Sequence, residues 1–253
     1  KPDEYYNLAA QSHVGHSFTN PLMTFEADAC SVVKALSLIR QHSPETRFYQ
    51  ASTSELFGGL ECPLTGYTEQ SPFHPRSPYG VAKLAAHWSV INFREAYGMY
   101  ACSGILFNHE SPRRGLDFVT RKVTHAAARI KLGLDKKIVM GNIDARRDWG
   151  HSRDYVKAMH LMLQQDRPEE FVIATGSAYS IRDLLGVTFE LAGLGDYNKY
   201  IESDEKFMRP SEVPYLLGNP IKAISQLHWN QTISFDELIN EMYIADYRTL
   251  LGN

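Results

Sequence analysis

A chain of 253 residues, 43% hydrophobic and 22% charged with a net charge of −3, is long enough for a real core, and it carries no field that would draw it to nucleic acid or a membrane surface. Three cysteines, Cys30, Cys62 and Cys102, are too sparse and odd a set for a disulfide framework; they point to a reducing compartment, and the expected location is cytoplasmic. No apolar run reaches membrane-spanning length, and the sequon Asn230-Gln231-Thr232, with no signal peptide before it, reads as a chance match.

Residues 5–10 read as a short buried strand. Asn20-Pro21 then opens a helix whose apolar positions Phe25, Ala29, Val32, Val33, Leu36 and Ile39 fall at helical spacing. Strands are expected at 47–53 and 101–107, and helices at 78–97 and 118–132. Residues 137–140, 154–165 and 171–175 continue the alternation. Ser180 with Asp183, and Ser234 with Glu237, mark helix starts, the second as a capping box. Residues 195–212 are polar and read as a connection. Short strands, apolar on both faces and alternating with helices, predict a parallel α/β sheet covered on both sides. In such sheets ligands bind beyond the carboxyl ends of the strands. Chemistry is therefore expected in segments 9–14, 52–58, 108–115 and 175–177.

Tyr79 and Lys83 stand one helical turn apart, behind Ser77 as N-cap and Pro78 as first helical residue. The helix dipole and the ammonium both favour phenolate, which suits a general base for an alcohol proton. On spacing alone the pair is more often an ordinary surface helix, since Tyr-x-x-x-Lys is common by chance. Ser52-Thr53-Ser54-Glu55 places hydroxyls and one carboxylate at a strand's end, an arrangement that also makes a capped turn. Beside Tyr79, a hydroxyl can hold a substrate oxygen while the phenol takes its proton, and Glu55 adds a second acid/base. His109-Glu110 lacks the second histidine of a zinc motif, and no metal site is expected.

These residues resemble the short-chain dehydrogenase/reductase superfamily in its extended, nucleotide-sugar-modifying branch. The stretches 6–14, 47–56, 75–79, 104–115 and 147–151, with Arg209-Pro210-x-Glu212-Val213 and 217–223, resemble the GDP-mannose 4,6-dehydratase family within it. The resemblance runs from residue 1 to about residue 248. It implies a Rossmann-like, doubly wound parallel sheet and a smaller, interwoven C-terminal substrate domain. Residues 1–115, with 154–180 returning, would form the NADP side, and 116–253 mainly the nucleotide-sugar side. Thr53, Glu55, Tyr79 and Lys83 would be catalytic. Leu8, Ala9, Ala10, Gln11, Ser12, Lys83, His109 and Arg114 would contact NADP. Ser54, Asn108, Lys122, Arg147, Arg209 and Glu212 would hold GDP-mannose, the arginines matching a diphosphate with their planar forks. Lys122, on a helix, is open to a solvated role as well. The implied reaction yields GDP-4-keto-6-deoxymannose, a precursor of GDP-fucose and related deoxy sugars. A homo-oligomer, dimer or tetramer, is implied too.

Several features depart from the family pattern. The glycine-rich dinucleotide turn is absent, and Gly193-Leu194-Gly195 follows a helix rather than a strand. The sequence thus reads as starting several β-α units into the fold, so an upstream segment with a glycine-rich turn is expected, without which expression and NADP binding would be poor. Met23 stands where the family has a tyrosine, Gly15-His16 replaces bulkier residues, and segment 58–70 is slightly long. A 4-epimerase or 4-reductase needs Tyr79 and Lys83 but not Glu55. A dTDP-glucose type of dehydratase carries an aspartate where Ser54 stands. A non-catalytic nucleotide-sugar-binding protein could share the scaffold.

Overall fold

The computed structural model describes residues 1–58, 60–204 and 211–252. Its first strand, β1 (Glu4–Asn7), stops before the predicted end, so residues 8–12 leave the sheet as a loop. There follow α1 (Val14–Thr19), α2 (Pro21–Phe25), a π-helical turn (Glu26–Cys30) and α3 (Ser31–His42). The last three run on as one rod, the helix foreseen from residue 21, but interrupted by the wider turn. Then come β2 (Arg47–Ala51), a 3-10 turn (Ser54–Leu56), α4 (Pro78–Tyr97), β3 (Ala101–Leu106), β4 (Asn108–Glu110) and α5 (Val119–Lys131). The remainder is β5 (Ile138–Met140), β6 (Arg146–His151), α6 (Ser152–Leu163), β7 (Phe171–Ile173), β8 (Ala178–Ser180), α7 (Ile181–Leu191), β9 (Ile201–Ser203), β10 (Tyr215–Leu216), α8 (Ile221–Leu227) and α9 (Phe235–Leu250).

The central sheet has the order β1-β2-β3-β7, parallel throughout. All six residues of β3 are buried, because helices cover both faces. Alternation along β2 sends Phe48 to one side, against Val32 and Leu36 of α3 and Val90 of α4. It sends Tyr49 to the other, against Ala158 and Met162 of α6 and Leu227 of α8. This is the parallel sheet covered on both sides that the sequence pattern predicts, and the doubly wound arrangement that the resemblance implies.

At residue 107 the chain changes sheets. Phe107 still donates its N–H to Ile173 O at 2.9 Å, whereas Asn108 begins β4, in register with Trp149 of β6. The second sheet has the order β10-β6-β4, with β8 antiparallel on β6. A third pairs β5 with β9. The expectation that 195–212 is only a connection is therefore corrected: Ile201 pairs with Ile138 and packs against the core of α5, α7 and α9. One apolar residue suffices for an edge strand this short, and a polar composition hides it. Serines 180 and 234 both form full capping boxes, with Asp183 and Glu237.

Candidate active site

The start of α4 sets the site. Ser77 Oγ accepts the Gly80 N–H at 3.0 Å, and Pro78 supplies the fixed φ of the first turn. Tyr79 and Lys83 then lie on the inward face and are buried. Lys83 Nζ donates to Ala51 O at 3.1 Å, at the carboxyl end of β2, and lies 5.8 Å from the centre of the Tyr79 ring. Burial pushes the phenol pKa well up, with the Asp28 and Glu55 carboxylates adding to it. The hydrogen bond from Thr53 and the charge of Arg114 work the other way, but burial wins. The lowered phenol pKa expected from helix spacing is thus reversed, because spacing says nothing about desolvation. Burial also lowers the Lys83 pKa, opposed by Asp28.

The turn after β2 brings the other groups. Thr53 is the N-cap of the 3-10 turn, its Oγ1 accepting the Glu55 N–H at 3.2 Å. Glu55 is buried on that turn. The turn and α4 meet at Gly80, where a Cβ would lie 2.9 Å from Pro75 Cβ and 3.1 Å from Glu55 O. A glycine beside Tyr79 is what lets the two approach so closely.

Thr53, Glu55, Tyr79 and Lys83 all line one cavity of about 910 Å³, large enough for a nucleotide-sized ligand. Leu8, Ala10 and Ser12 line it from the loop after β1. Ala9 and Gln11 do not. Ala9 is solvent-exposed, and the Gln11 amide is spent on Thr24 Oγ1 (3.1 Å) and His13 O (3.2 Å). Ser54, Asn108, His109, Arg114, Lys122, Arg147 and Glu212 line it from the other elements. Arg209 lies outside the described residues.

His109 stacks on Tyr155 with ring centres 4.7 Å apart, and its Nδ1 is 2.9 Å from Phe107 O. A carbonyl can only accept, so Nδ1 carries the proton and Nε2 is left as an acceptor. Burial lowers its pKa to about 4, so the ring is neutral at ordinary pH. Arg114 stacks over Phe118, 3.5 Å from guanidinium to ring centre. Its Nε sits 3.0 Å from Glu110 Oε2, a charge contact rather than an aligned hydrogen bond. Thr120 donates to the same oxygen at 2.7 Å.

Glu110 and the turn Met140–Asn142 also line the cavity, and sequence reasoning missed them. Glu110, unlike its neighbour His109, has no role in the family resemblance, and without zinc spacing its residue type alone gives none. Asn142 carries no local signal, since its place depends on β5 meeting the second sheet. Among the described residues no cluster of histidine, cysteine and carboxylate could hold a metal ion.

Residues 1–242 match the family model for GDP-mannose 4,6 dehydratase. The chain is 48% identical over 250 residues to GDP-mannose 4,6 dehydratase 1 of Arabidopsis thaliana, covering 97% of this chain and 68% of the relative. It is 49% identical over 276 residues to GDP-mannose 4,6-dehydratase of Vibrio cholerae, covering 98% and 74%. Among solved structures, RMD from Pseudomonas aeruginosa complexed with NADPH superposes with a TM-score of 0.90 at 23% identity, covering 98% of this chain and 82% of that one. That identity speaks for the fold alone, whereas the sequence matches reach further, and on them the chain belongs to the GDP-mannose 4,6-dehydratase family.

Proposed function

We propose that the protein converts GDP-mannose to GDP-4-keto-6-deoxymannose, with NADP as the retained cofactor. The observation that carries the reading is the convergence of Thr53, Glu55, Tyr79 and Lys83 on one cavity in a chain of this family. The donor set fits a nicotinamide nucleotide. Leu8, Ala10 and Ser12 line the cavity from the loop past the end of β1, and Lys83, His109 and Arg114 lie around the same cavity. NADP rather than NAD rests on membership of the family, since neighbours alike in fold alone are complexed with either nucleotide. Bound beside Lys83, His109 and Arg114, the cofactor would supply the hydride acceptor for C4 of the sugar and the hydride donor for C6.

The chain's own residues move the protons. Thr53 hydrogen-bonds the 4-hydroxyl, and Tyr79 takes its proton as C4 is oxidised. Because burial keeps the free phenol neutral, its deprotonation is coupled to substrate entry, with Thr53 and Arg114 favouring the anion. The new ketone acidifies the C5 proton, which Glu55 removes, and water leaves from C6. Arg147 and Lys122 face the diphosphate, and Glu212 accepts from ribose hydroxyls. Residues 1–115, with 154–180 returning, make the cofactor side, and 116–253 mainly the substrate side. The product would feed reductases that form GDP-fucose and related sugars. Self-association into a dimer or tetramer belongs to the same proposal, and light scattering tests it.

Epimerases and reductases on this scaffold have no use for a carboxylate at position 55, which favours dehydration over either. GDP-mannose deuterated at C4 should yield product deuterated at C6, with solvent deuterium entering at C5. Loss of the label to bulk reduced cofactor would instead mark a plain dehydrogenase.

A further inference from the structure

Glu110 borders the cavity, is 2% exposed, and takes no part in the proton transfers above. It ends β4 in register with His151 of β6, so the sheet fixes its backbone. Thr120, buried in the first turn of α5, donates to its Oε2 at 2.7 Å. A buried carboxylate is unfavourable unless it is hydrogen-bonded and a charge answers it. Arg114 answers it, with Nε 3.0 Å from the same oxygen. Burial raises the Glu110 pKa, and Arg114 and then Thr120 oppose the rise.

The same contact restrains the arginine. Its Nε is buried, and Glu110 is its charge partner among the described residues. The face of its guanidinium rests on Phe118, at the start of α5, 3.5 Å from the ring centre. The main chain is fixed as well: Arg114 N donates to Ser111 O at 2.9 Å, and Arg114 O accepts from Arg121 Nη1 at 2.9 Å. The two Nη groups are left over. They donate to none of the described residues, on a side chain that borders the cavity. Such a fork matches the oxygens of a phosphate.

We propose that Glu110 is a positioning residue for the cofactor: with Thr120 and Phe118 it holds the Arg114 guanidinium in one orientation, so that the two Nη groups meet a phosphate of NADP. The proposal rests on the reading of Arg114 as a cofactor contact and deepens it. An arginine held beforehand has already given up the rotamer freedom that a mobile one loses on binding. The sign of the effect separates positioning from charge alone. Removing an anion from the cavity wall should, by Coulomb attraction, tighten the binding of an anionic dinucleotide. Loss of positioning weakens it.

Glu110→Gln keeps the size and an oxygen for Thr120 but removes the charge that holds Nε. In the protein at its full natural length, NADP affinity by calorimetry should fall about 10-fold, and GDP-mannose affinity should change by less than about 3-fold. In an Arg114→Lys background the same substitution should cost no further NADP affinity. NMR of ε-labelled arginine, with Arg114 assigned by loss of its signal in Arg114→Lys, reads the restraint without any ligand. The Nε proton should exchange slowly in the wild type and faster in Glu110→Gln. Unchanged or tighter NADP binding by Glu110→Gln overturns the proposal, and so does an equal loss in the Arg114→Lys background. A loss confined to GDP-mannose overturns it too, and would make Glu110 a substrate contact. If the variant does not fold, the wild type still decides: an Arg114 Nε proton that exchanges as fast as those of exposed arginines overturns the restraint. A wild-type protein that binds no NADP sinks the proposed function itself, whereas normal binding beside an unrestrained Arg114 sinks only the role of Glu110.

Discussion

Glu55 lies two residues beyond Thr53 on the 3-10 turn, and both border the cavity that Tyr79 reaches. One carboxylate and one phenol there can divide the proton transfers between them. Glu55→Gln keeps size and hydrogen bonding but removes the base. It should still bind GDP-mannose in calorimetry, with dehydration slowed by about 10²–10⁴-fold in single-turnover assays. Tyr79→Phe should stop the cycle earlier, so that no reduced cofactor absorbance builds up on the enzyme. Near-normal turnover by Glu55→Gln would assign the C5 proton to another group. At this scale the sequence was readable where the relation is local. Tyr79 and Lys83 are one helical turn apart whatever surrounds them. The ionisation of that phenol was not readable, because the dehydrating walls come from segments far along the chain.

The relation between α4 and the 3-10 turn rests on a missing side chain. Gly80 is helical, so alanine there should help by propensity, by about 1 kcal/mol. The Cβ would instead press on Pro75 Cβ and on Glu55 O, one of them main chain. We expect Gly80→Ala to lower kcat at least about 10-fold, through displacement of Glu55 from Tyr79. Gly186 of α7 is the control, since a Cβ there meets nothing within 4 Å. Gly186→Ala should raise stability by about 0.5–1 kcal/mol in urea denaturation and leave turnover unchanged. A Gly80→Ala enzyme with full activity would mean that the turn yields freely. Helix starts were legible at this scale because Ser77, Ser180 and Ser234 cap by contacts within their own first turn. The π turn was not, since the apolar spacing 25–39 passes through it with its register almost intact.

Across the whole molecule, the last helix is fastened through Arg121 to the segment that bears Arg114. Asp246 of α9 is 0% exposed and accepts from Arg121 Nε at 2.5 Å and from Thr124 Oγ1 at 2.7 Å, both on α5. Arg121 in turn donates to Pro112 O and, at 2.9 Å, to Arg114 O. Removing Asp246 leaves the guanidinium without its counter-charge and loosens the segment that bears Arg114. Asp246→Ala should destabilise the fold by about 3 kcal/mol in chemical denaturation. It should also weaken NADP binding more than the stabilising contacts of α9 alone would explain. NADP affinity equal to wild type in the folded variant would confine Asp246 to a structural role. The sequence by itself determined the alternation of strands and helices, the capped helix starts, the tyrosine–lysine pair and the family, because these are written in residues close together or in long ordered motifs. Only the tertiary structure decided the crossing from one sheet to the next at Phe107, the strand at 201–203, the packing of the π turn that bears Asp28 on α4 and the neutral state of His109. Each of these depends on burial or on contacts between distant segments, and no local pattern records how much water a fold removes.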